Sequence, residues 1–254
     1  MPSLVLPSGS TPPTFSRGRC PPPPPDGFRA ELLTSRLHFN PEECVRIGLR
    51  GRDPLAFGRN PKGNRFDPLA SPWESTNVLY VATRLEAAIG EAIFRWHGQI
   101  TLGDRVILSE ATILEPRTVV RIKPKRTLTL IDATGLGLGR IDQVVSAVAQ
   151  LPSNIAALAD APKPLADDIF QCSAAEYVST QKWGAWFRSQ SPDADGIMWV
   201  SRQFNVGSCI VLFEDRCGSD LELLGSPTPL YAPGSAERAL VNKMVGQLRW
   251  GLGP

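Results

Sequence analysis

Four side chains of different chemistry stand among apolar or turn-forming neighbours: Arg65, Tyr80, Glu91 and Ser201. Arg65 lies in the segment GNRFDP, where glycine and proline restrict the loop that presents it. A planar guanidinium suits bidentate contact with phosphate, and a carboxylate stabilises positive charge that forms during bond cleavage. Together with the aromatic face of Tyr80, these groups can hold a dinucleotide and break its glycosidic bond.

The segment that carries Tyr80 and Glu91 is expected to be a strand followed by a helix. NVLYVA has the composition of a strand, with Tyr80 on the same face as Val78 and Ala82. Thr83 and Glu86 match the capping box T-x-x-E, which predicts the start of a helix that ends at Gly98. Apolar residues recur on it at helical spacing, namely Leu85, Ala88, Ile89, Ala92, Ile93 and Trp96.

Glu91 lies off this apolar stripe and has two interpretations. Its neighbours one turn away are Ala87 and Phe94, so its face of the helix is not a plain solvent face. A partly buried carboxylate needs a partner or a ligand. Spacing alone favours a salt bridge to Arg95, four residues on, over a functional role.

Tyr80 and Ser201 have structural interpretations as well. Tyr80 alone is typical of a core aromatic residue whose hydroxyl is paired. Ser201 follows the strand GIMWV and faces the same way as Trp199, where a serine is commonly a small filler. His38 and His97 are the only histidines, and neither lies in a triad-like setting, which excludes a serine hydrolase.

A second arginine could join Arg65. In CVRIGL, Val45, Ile47 and Leu49 form one apolar strand face, and Arg46 lies on the other. Arg46 therefore has the same two interpretations as Arg65, a solvated side chain or a phosphate contact.

Composition excludes several classes of protein. A net charge of +2 over 254 residues gives no strong field toward nucleic acid or membrane. The five cysteines are odd in number and lack a C-x-x-C pair, so neither a disulfide framework nor a metal site is expected. No apolar run approaches the ~20 residues of a membrane helix, and no secretory signal is evident. These features predict a cytoplasmic protein.

Residues 1–26 are expected to form a disordered proline-rich tail, because prolines 21–25 favour an extended, unpacked chain. Residues 27–254 are expected to form one domain, closed by an amphipathic C-terminal helix. Strands outnumber helices without regular alternation, which predicts an α+β fold of mixed, mainly antiparallel sheets with flanking helices. GLGLGR at 135–140 is interpreted as a helix entry, because Arg140 replaces the third glycine of a dinucleotide fingerprint.

In these segments the chain resembles the RES-domain family, over roughly residues 28–216. GNRFDP matches the arginine motif, VLYVATRLEAAIGEAIFR the tyrosine and glutamate motif, and DGIMWVSR followed by CIVLFEDR the serine motif. Their order and spacing are specific, and Tyr80 precedes Glu91 by eleven positions, as in that family.

The resemblance implies a fold like that of ADP-ribosyltransferases and an enzyme that consumes NAD as substrate, without a metal, as bacterial toxins of the family do. By position, Arg65 and Arg46 would hold the pyrophosphate and Tyr80 would pack against the nicotinamide half. Glu91 would engage the nicotinamide ribose, and Ser201 would help to position it. The acceptor stays open between water, phosphate and a protein.

The resemblance also implies a partner, a helix-turn-helix antitoxin of the Xre type, and nucleic acid would be reached only through it. The alternative is a catalytically silent module that binds a nucleotide or a protein. Phe66 and Asp67 stand where many members carry tryptophan and asparagine. The charge of Asp67 predicts that Arg65 is already partly paired.

Overall fold

The structure is a computed structural model of the chain. It describes residues 20–25, 27–29, 35–58, 64–68, 77–94, 100–102, 105–158, 165–171, 177–201, 206–248 and 250–253.

The described strands are β1 (Ser35–Phe39), β2 (Cys44–Leu49), β3 (Val78–Ala82), β4 (Ile100–Leu102), β5 (Arg105–Ser109), β6 (Arg117–Pro124), β7 (Leu128–Ala133), β8 (Gly196–Val200), β9 (Ser208–Phe213), β10 (Leu221–Leu223), β11 (Thr228–Pro229) and β12 (Gly251–Gly253). The described α-helices are α1 (Leu85–Ile89), α2 (Gly135–Ala149), α3 (Pro152–Leu158), α4 (Ala166–Gln171), α5 (Tyr177–Gln190), α6 (Glu214–Cys217) and α7 (Ala236–Gln247). π-Helical turns cover Gly90–Phe94 and Glu110–Leu114, and a 3-10 turn covers Gly218–Asp220.

The main sheet has the strand order β1-β7-β8-β9-β3-β2-β6-β10, with β11 also paired to β6. All of its described pairings are antiparallel except that of β7 with β8. A second sheet has the order β12-β5-β4. The predicted α+β class with mainly antiparallel sheets is confirmed.

The two faces of the main sheet bury different cores because side chains alternate along each strand. Val45, Val78, Trp199 and Val211 lie on the face that packs against α1, α2, α4, α5 and α7, which we call the helical face. The opposite face buries residues such as Leu79, Val120 and Met198 with the partly buried Leu55 and Phe57. The C-terminal helix closes the core as predicted, since α7 buries Val241, Met244 and Val245 on the helical face.

A stretch of the predicted tail packs on α5. Cys20 and Pro21 are buried, and the indole N–H of Trp183 donates to the carbonyl of Pro21 at 3.1 Å. The indole N–H of Trp186 donates to the carbonyl of Phe28 at 2.9 Å. The expectation that residues 1–26 do not pack is therefore corrected for 20–25, because proline carbonyls remain acceptors although proline lacks an N–H. Residues 1–19 lie outside the described residues.

The start of α1 differs from the predicted capping box. Arg84 occupies the N-cap without a side-chain hydrogen bond to the helix. Thr83 instead accepts the backbone N–H of Ser208 at 2.9 Å on its hydroxyl, which prolongs the pairing of β3 with β9. Glu86 lies 3.7 Å from Arg84 in an ion pair. Gly98, the predicted helix end, lies outside the described residues.

The glycine segment GLGLGR enters α2, as predicted. A Cβ atom on Gly137 would lie 2.0 Å from the carbonyl oxygen of Asp132, so only glycine fits this close approach of helix to strand. Among the described helices, none is both long and apolar enough to cross a bilayer.

An ion pair between the buried Asp195 and the half-exposed Arg126 joins the ends of β6, β7 and β8. Both terminal nitrogens of Arg126 donate to the carboxylate of Asp195 at 2.8 Å, and the backbone N–H of Thr129 donates to the same carboxylate at 2.8 Å. Asp195 is 4% exposed, so water does not replace these donors. The basic segment RIKPKR at 121–126 thus ends in an ion pair within the protein.

We expect Asp195→Asn to lower the free energy of unfolding by about 2 kcal/mol, because it removes the charge of the buried carboxylate and leaves Arg126 without its partner. The half-exposed position of Arg126 limits the loss, since water solvates its charge. Urea unfolding followed by circular dichroism measures this. Asp193→Asn is the matched control: Asp193 pairs with Arg36 at 3.0 Å, but its side chain is 62% exposed. That variant should change the free energy of unfolding by less than about 0.5 kcal/mol. Equal losses in both variants would contradict the assignment.

Two buried thiols predict a loss of stability in alkali. Burial raises the pKa of Cys44 to about 12, with the charge of Glu43 adding to the shift. Burial likewise raises the pKa of Cys217 to about 12, with the charge of Asp195 adding to it. The unfolded chain ionises each thiol near pH 9.0, while the folded chain keeps it protonated. The stabilisation is therefore complete below pH 9.0 and is lost as the pH rises toward 12.

The double variant Cys44→Ala/Cys217→Ala isolates this effect from other groups that titrate in alkali. Its free energy of unfolding should fall less steeply with pH than that of the wild type, by up to about 1.4 kcal/mol per pH unit for each thiol. Urea unfolding at several values between about pH 8 and pH 10 compares the two slopes. Parallel slopes would show that the thiols ionise alike in both states.

Candidate functional site

The loop Asn64–Pro68, which we call the Arg65 loop, is attached to α5 through its backbone. The hydroxyl of Thr180 donates to the carbonyl of Arg65 at 2.7 Å, and the amide of Gln181 donates to the carbonyl of Asn64 at 2.9 Å. Thr180 is fully buried, and Arg65 is 3% exposed. A buried loop must have its carbonyls satisfied from elsewhere, and here α5 supplies the donors.

Phe66 anchors the same loop in an aromatic cluster. Its ring lies 5.3 Å from that of Trp199 in an edge-to-face arrangement and 5.7 Å from that of Phe170. Gly184 of α5 leaves room for it, because a Cβ atom there would lie 3.1 Å from the Phe66 ring. Phe66 therefore connects the Arg65 loop to β8, the strand that leads to Ser201.

Tyr80 connects the Arg65 loop to β3. Its hydroxyl donates to the carboxylate of Asp67 at 3.1 Å and accepts the backbone N–H of Phe66 at 3.0 Å. Asp67 also accepts the backbone N–H of Asn64 at 2.8 Å. These hydrogen bonds join the carboxylate of Asp67 to Tyr80 and Asn64, and the expected pairing of Asp67 with Arg65 stays a prediction.

Ser201 lies directly after β8 and is 0% exposed. Its backbone N–H donates to the carbonyl of Gly207 at 2.8 Å, which continues the pairing of β8 with β9. Within the described residues, neither its hydroxyl nor the indole N–H of Trp199 has a hydrogen-bond partner. Such buried polar groups are rare in proteins, and these two are separated by one residue, on the same side of an extended segment.

Glu91 lies in the π-helical turn Gly90–Phe94, which continues α1. The sequence predicted an unbroken α-helix, and π-helical turns occur frequently at functional sites. Ala87 and Phe94 are buried in the core of the helical face, and Glu91 is half-buried. The prediction that Glu91 does not lie on a plain solvent face is thus confirmed. Arg95, its alternative partner, lies outside the described residues.

Arg46 lies on the opposite face of the sheet from Tyr80. It pairs in register with Val120, whose side chain belongs to the second core, whereas Tyr80 packs against the core of the helical face. Its guanidinium donates to the carbonyls of Pro54 and Ala56 at 2.9 and 3.0 Å. Burial lowers the pKa of Arg46, and the charge of Asp53 opposes that shift.

The structure therefore brings Arg65 and Tyr80 together and links them to the strand of Ser201. Glu91 lies in the π-helical turn that continues α1, and α1 packs against β2 and β3. The structure does not bring Arg46 to this group, and we leave it out of the candidate site. Within the described ranges, no group of three His, Cys, Asp or Glu side chains is placed to hold a metal ion.

Sequence reasoning missed the residues that hold the loop. Asp67 accepts the backbone N–H of Asn64, three positions before it, and such local bonds from aspartate to nearby backbone are common, so a local signal existed. Thr180 and Gln181 follow the Arg65 loop by more than a hundred residues. Only the folded structure shows their contact with it.

Comparison with known proteins gives one family. The model of the RES domain matches residues 43–231, about three quarters of the chain, and this range contains all five predicted site residues. A comparison with curated proteins returned no match. Because the matched range covers most of the chain and includes every segment on which the resemblance was based, the protein belongs to the RES-domain family.

Proposed function

We propose that this protein consumes NAD by cleaving the bond between nicotinamide and ribose. Family membership supports NAD as the substrate. The proposal rests mainly on two connections on one face of the sheet. The Tyr80 hydroxyl bonds to the Arg65 loop, and Phe66 of that loop contacts Trp199 on the strand that leads to Ser201. The likeness to the ADP-ribosyltransferase fold, a helix-turn-helix antitoxin partner and a cytoplasmic location stay predictions.

The reaction needs charge stabilisation more than proton transfer. As the bond breaks, its electron pair leaves with neutral nicotinamide and positive charge builds on the ribose, as in glycoside cleavage. A carboxylate beside that ring lowers the energy of the charge as it forms, which is the role that we assign to Glu91. The acceptor (water, phosphate or a protein nucleophile) then bonds to the ribose carbon and gives up its proton.

The other groups bind and orient the substrate. The guanidinium of Arg65 contacts the pyrophosphate through paired hydrogen bonds, and the ring of Tyr80 packs against the nicotinamide half. The Ser201 hydroxyl has no protein partner within the described residues, so a hydrogen bond to the ribose end of NAD would satisfy it. Binding energy gathered at the pyrophosphate can hold the ribose in a reactive pose.

We expect Glu91→Gln to lower kcat for nicotinamide release by about a hundredfold or more, because it removes the stabilising charge while keeping the side-chain shape. Purified protein is incubated with NAD, and nicotinamide is followed by chromatography. Glu86→Gln is the matched control, since it is the same substitution in the preceding turn, where Glu86 pairs with Arg84. A Glu91→Gln protein with full activity would remove Glu91 from the mechanism. Binding of NAD without any release by the wild type would favour the silent module.

We expect Arg65→Lys to raise KM for NAD about tenfold with a smaller effect on kcat, because the charge stays while the paired hydrogen bonds to phosphate are lost. Steady-state kinetics measure both constants, and a thermal melt checks that the buried site still folds. Arg46→Lys tests whether Arg46 contacts the pyrophosphate, as the sequence predicted, or has no part in binding, as its position in the fold indicates. An unchanged KM is expected from the place of Arg46 across the sheet, and an equal rise would return Arg46 to the site.

A further inference from the structure

The carboxylate of Asp67 is buried at the centre of the Arg65 loop. Asp67 is 2% exposed and accepts hydrogen bonds from the Tyr80 hydroxyl at 3.1 Å and from the backbone N–H of Asn64 at 2.8 Å. The side-chain amide of Asn64 adds a further contact at 3.1 Å. A carboxylate this deeply buried persists only where such donors replace water.

The hydroxyl of Tyr80 is used twice within the protein. It donates its proton to Asp67 and accepts the backbone N–H of Phe66 at 3.0 Å. We call these two hydrogen bonds the Asp67–Tyr80 latch. Because the hydroxyl is engaged in the latch, the part of Tyr80 that a substrate can use is its ring.

The latch acts on the two residues that directly follow Arg65. From the other side, Thr180 and Gln181 of α5 hold the carbonyls of Arg65 and Asn64. The backbone that carries the guanidinium is thus fixed between β3 and α5. A group fixed before binding loses less conformational freedom when the substrate arrives.

We propose that Asp67 is a positioning residue, which fixes the Arg65 backbone and the Tyr80 ring relative to each other for NAD. This inference rests on the proposed function for its substrate. Asp67 is not one of the predicted site residues, and in this role it connects two of them, Arg65 and Tyr80. Asp67 acts through Arg65 and Tyr80 and makes no contact with the substrate in this role.

Two substitutions at Asp67 separate shape from hydrogen bonding. In Asp67→Asn, the amide oxygen can accept the Asn64 N–H while the amide nitrogen donates to the Tyr80 oxygen, so the link survives. In Asp67→Ala, the Tyr80 hydroxyl and the Asn64 N–H both lose their acceptor. Tyr80→Phe removes both bonds of the latch and leaves the carboxylate in place.

The first measurement is amide hydrogen exchange by NMR on the full chain without ligand, read at the Phe66 N–H. Asp67→Ala and Tyr80→Phe should speed its exchange at least about tenfold, because the loop opens more often. Asp67→Asn should stay within about threefold of the wild type. Unchanged exchange in Tyr80→Phe would overturn the latch, and this variant decides the matter even where Asp67→Ala fails to fold.

Matched controls carry the same substitutions elsewhere. Asp142→Ala removes an aspartate that accepts the backbone N–H of Ala166, between α2 and α4. Tyr231→Phe removes a hydroxyl that lies within hydrogen-bond distance of the Asn242 side chain at 2.9 Å and of the Glu110 carboxylate at 3.2 Å. Both should leave exchange at Phe66 and the kinetic constants for NAD unchanged. A change equal to that of Asp67→Ala would mean a general loss of stability.

The second measurement is a double-mutant cycle with NAD as substrate. Asp67→Ala should raise KM about tenfold with a smaller change in kcat, and Asp67→Asn should restore most of the loss. In an Arg65→Ala background, Asp67→Ala should add less than about twofold, because the group that it positions is gone. Independent, additive effects on KM would overturn a role exerted through Arg65.

The two measurements keep the two proposals apart. A wild-type protein that releases no nicotinamide defeats the proposed function, and with it the positioning of Arg65 for NAD. Exchange at Phe66 still decides whether the latch holds the loop, since it needs no substrate. Intact activity with additive kinetics defeats the positioning role alone.

Discussion

The contact of α5 with the backbone of the Arg65 loop is the constraint on which the candidate site depends. A segment without regular structure carries its own donors and acceptors into the interior, and each must find a partner. Thr180 and Gln181 supply two of them, and Gly184 leaves the space that the Phe66 ring fills. The loop therefore has a defined path between helix and sheet, although few of its bonds are local.

This arrangement combines rigidity with the chemistry of the site. Arg65 and Tyr80 come from different segments, yet a buried carboxylate and a backbone N–H connect them. The Ser201 hydroxyl lies at the end of a strand whose Trp199 touches the same loop. Glu91 lies in the π-helical turn that continues α1, the helix that packs against β2 and β3.

Much of the fold was predictable because strands and helices leave local patterns. The alternation in CVRIGL predicted β2 and placed Arg46 away from Val45 and Ile47. It did not show which face would carry the site, since that depends on the pairing of β2 with β3, where Val45 lies opposite Ala82. The pairing puts Tyr80 on the face of Val45 and leaves Arg46 on the other.

Other features had weak local signals or none. A π-helical turn at Gly90–Phe94 leaves the apolar spacing close to that of an α-helix, so the pattern favoured the commoner structure. The predicted capping box does not form, because the hydroxyl of Thr83 accepts the backbone N–H of Ser208, which is 125 positions away. The family resemblance identified the motif residues, whereas the residues that hold them in place had to come from the coordinates.

Residues 20–25 and 27–29 form a strap on α5, and the indole N–H groups of Trp183 and Trp186 donate to its backbone carbonyls. Every residue type offers such a carbonyl, so the path of this strap constrains its amino acids only loosely, and prolines serve there by keeping the chain extended. Deleting the strap itself would have a larger effect than changing its residue types. It would leave two indole N–H groups without their acceptors on the helix that also carries Thr180 and Gln181, so trimming the N-terminus would also affect the candidate site.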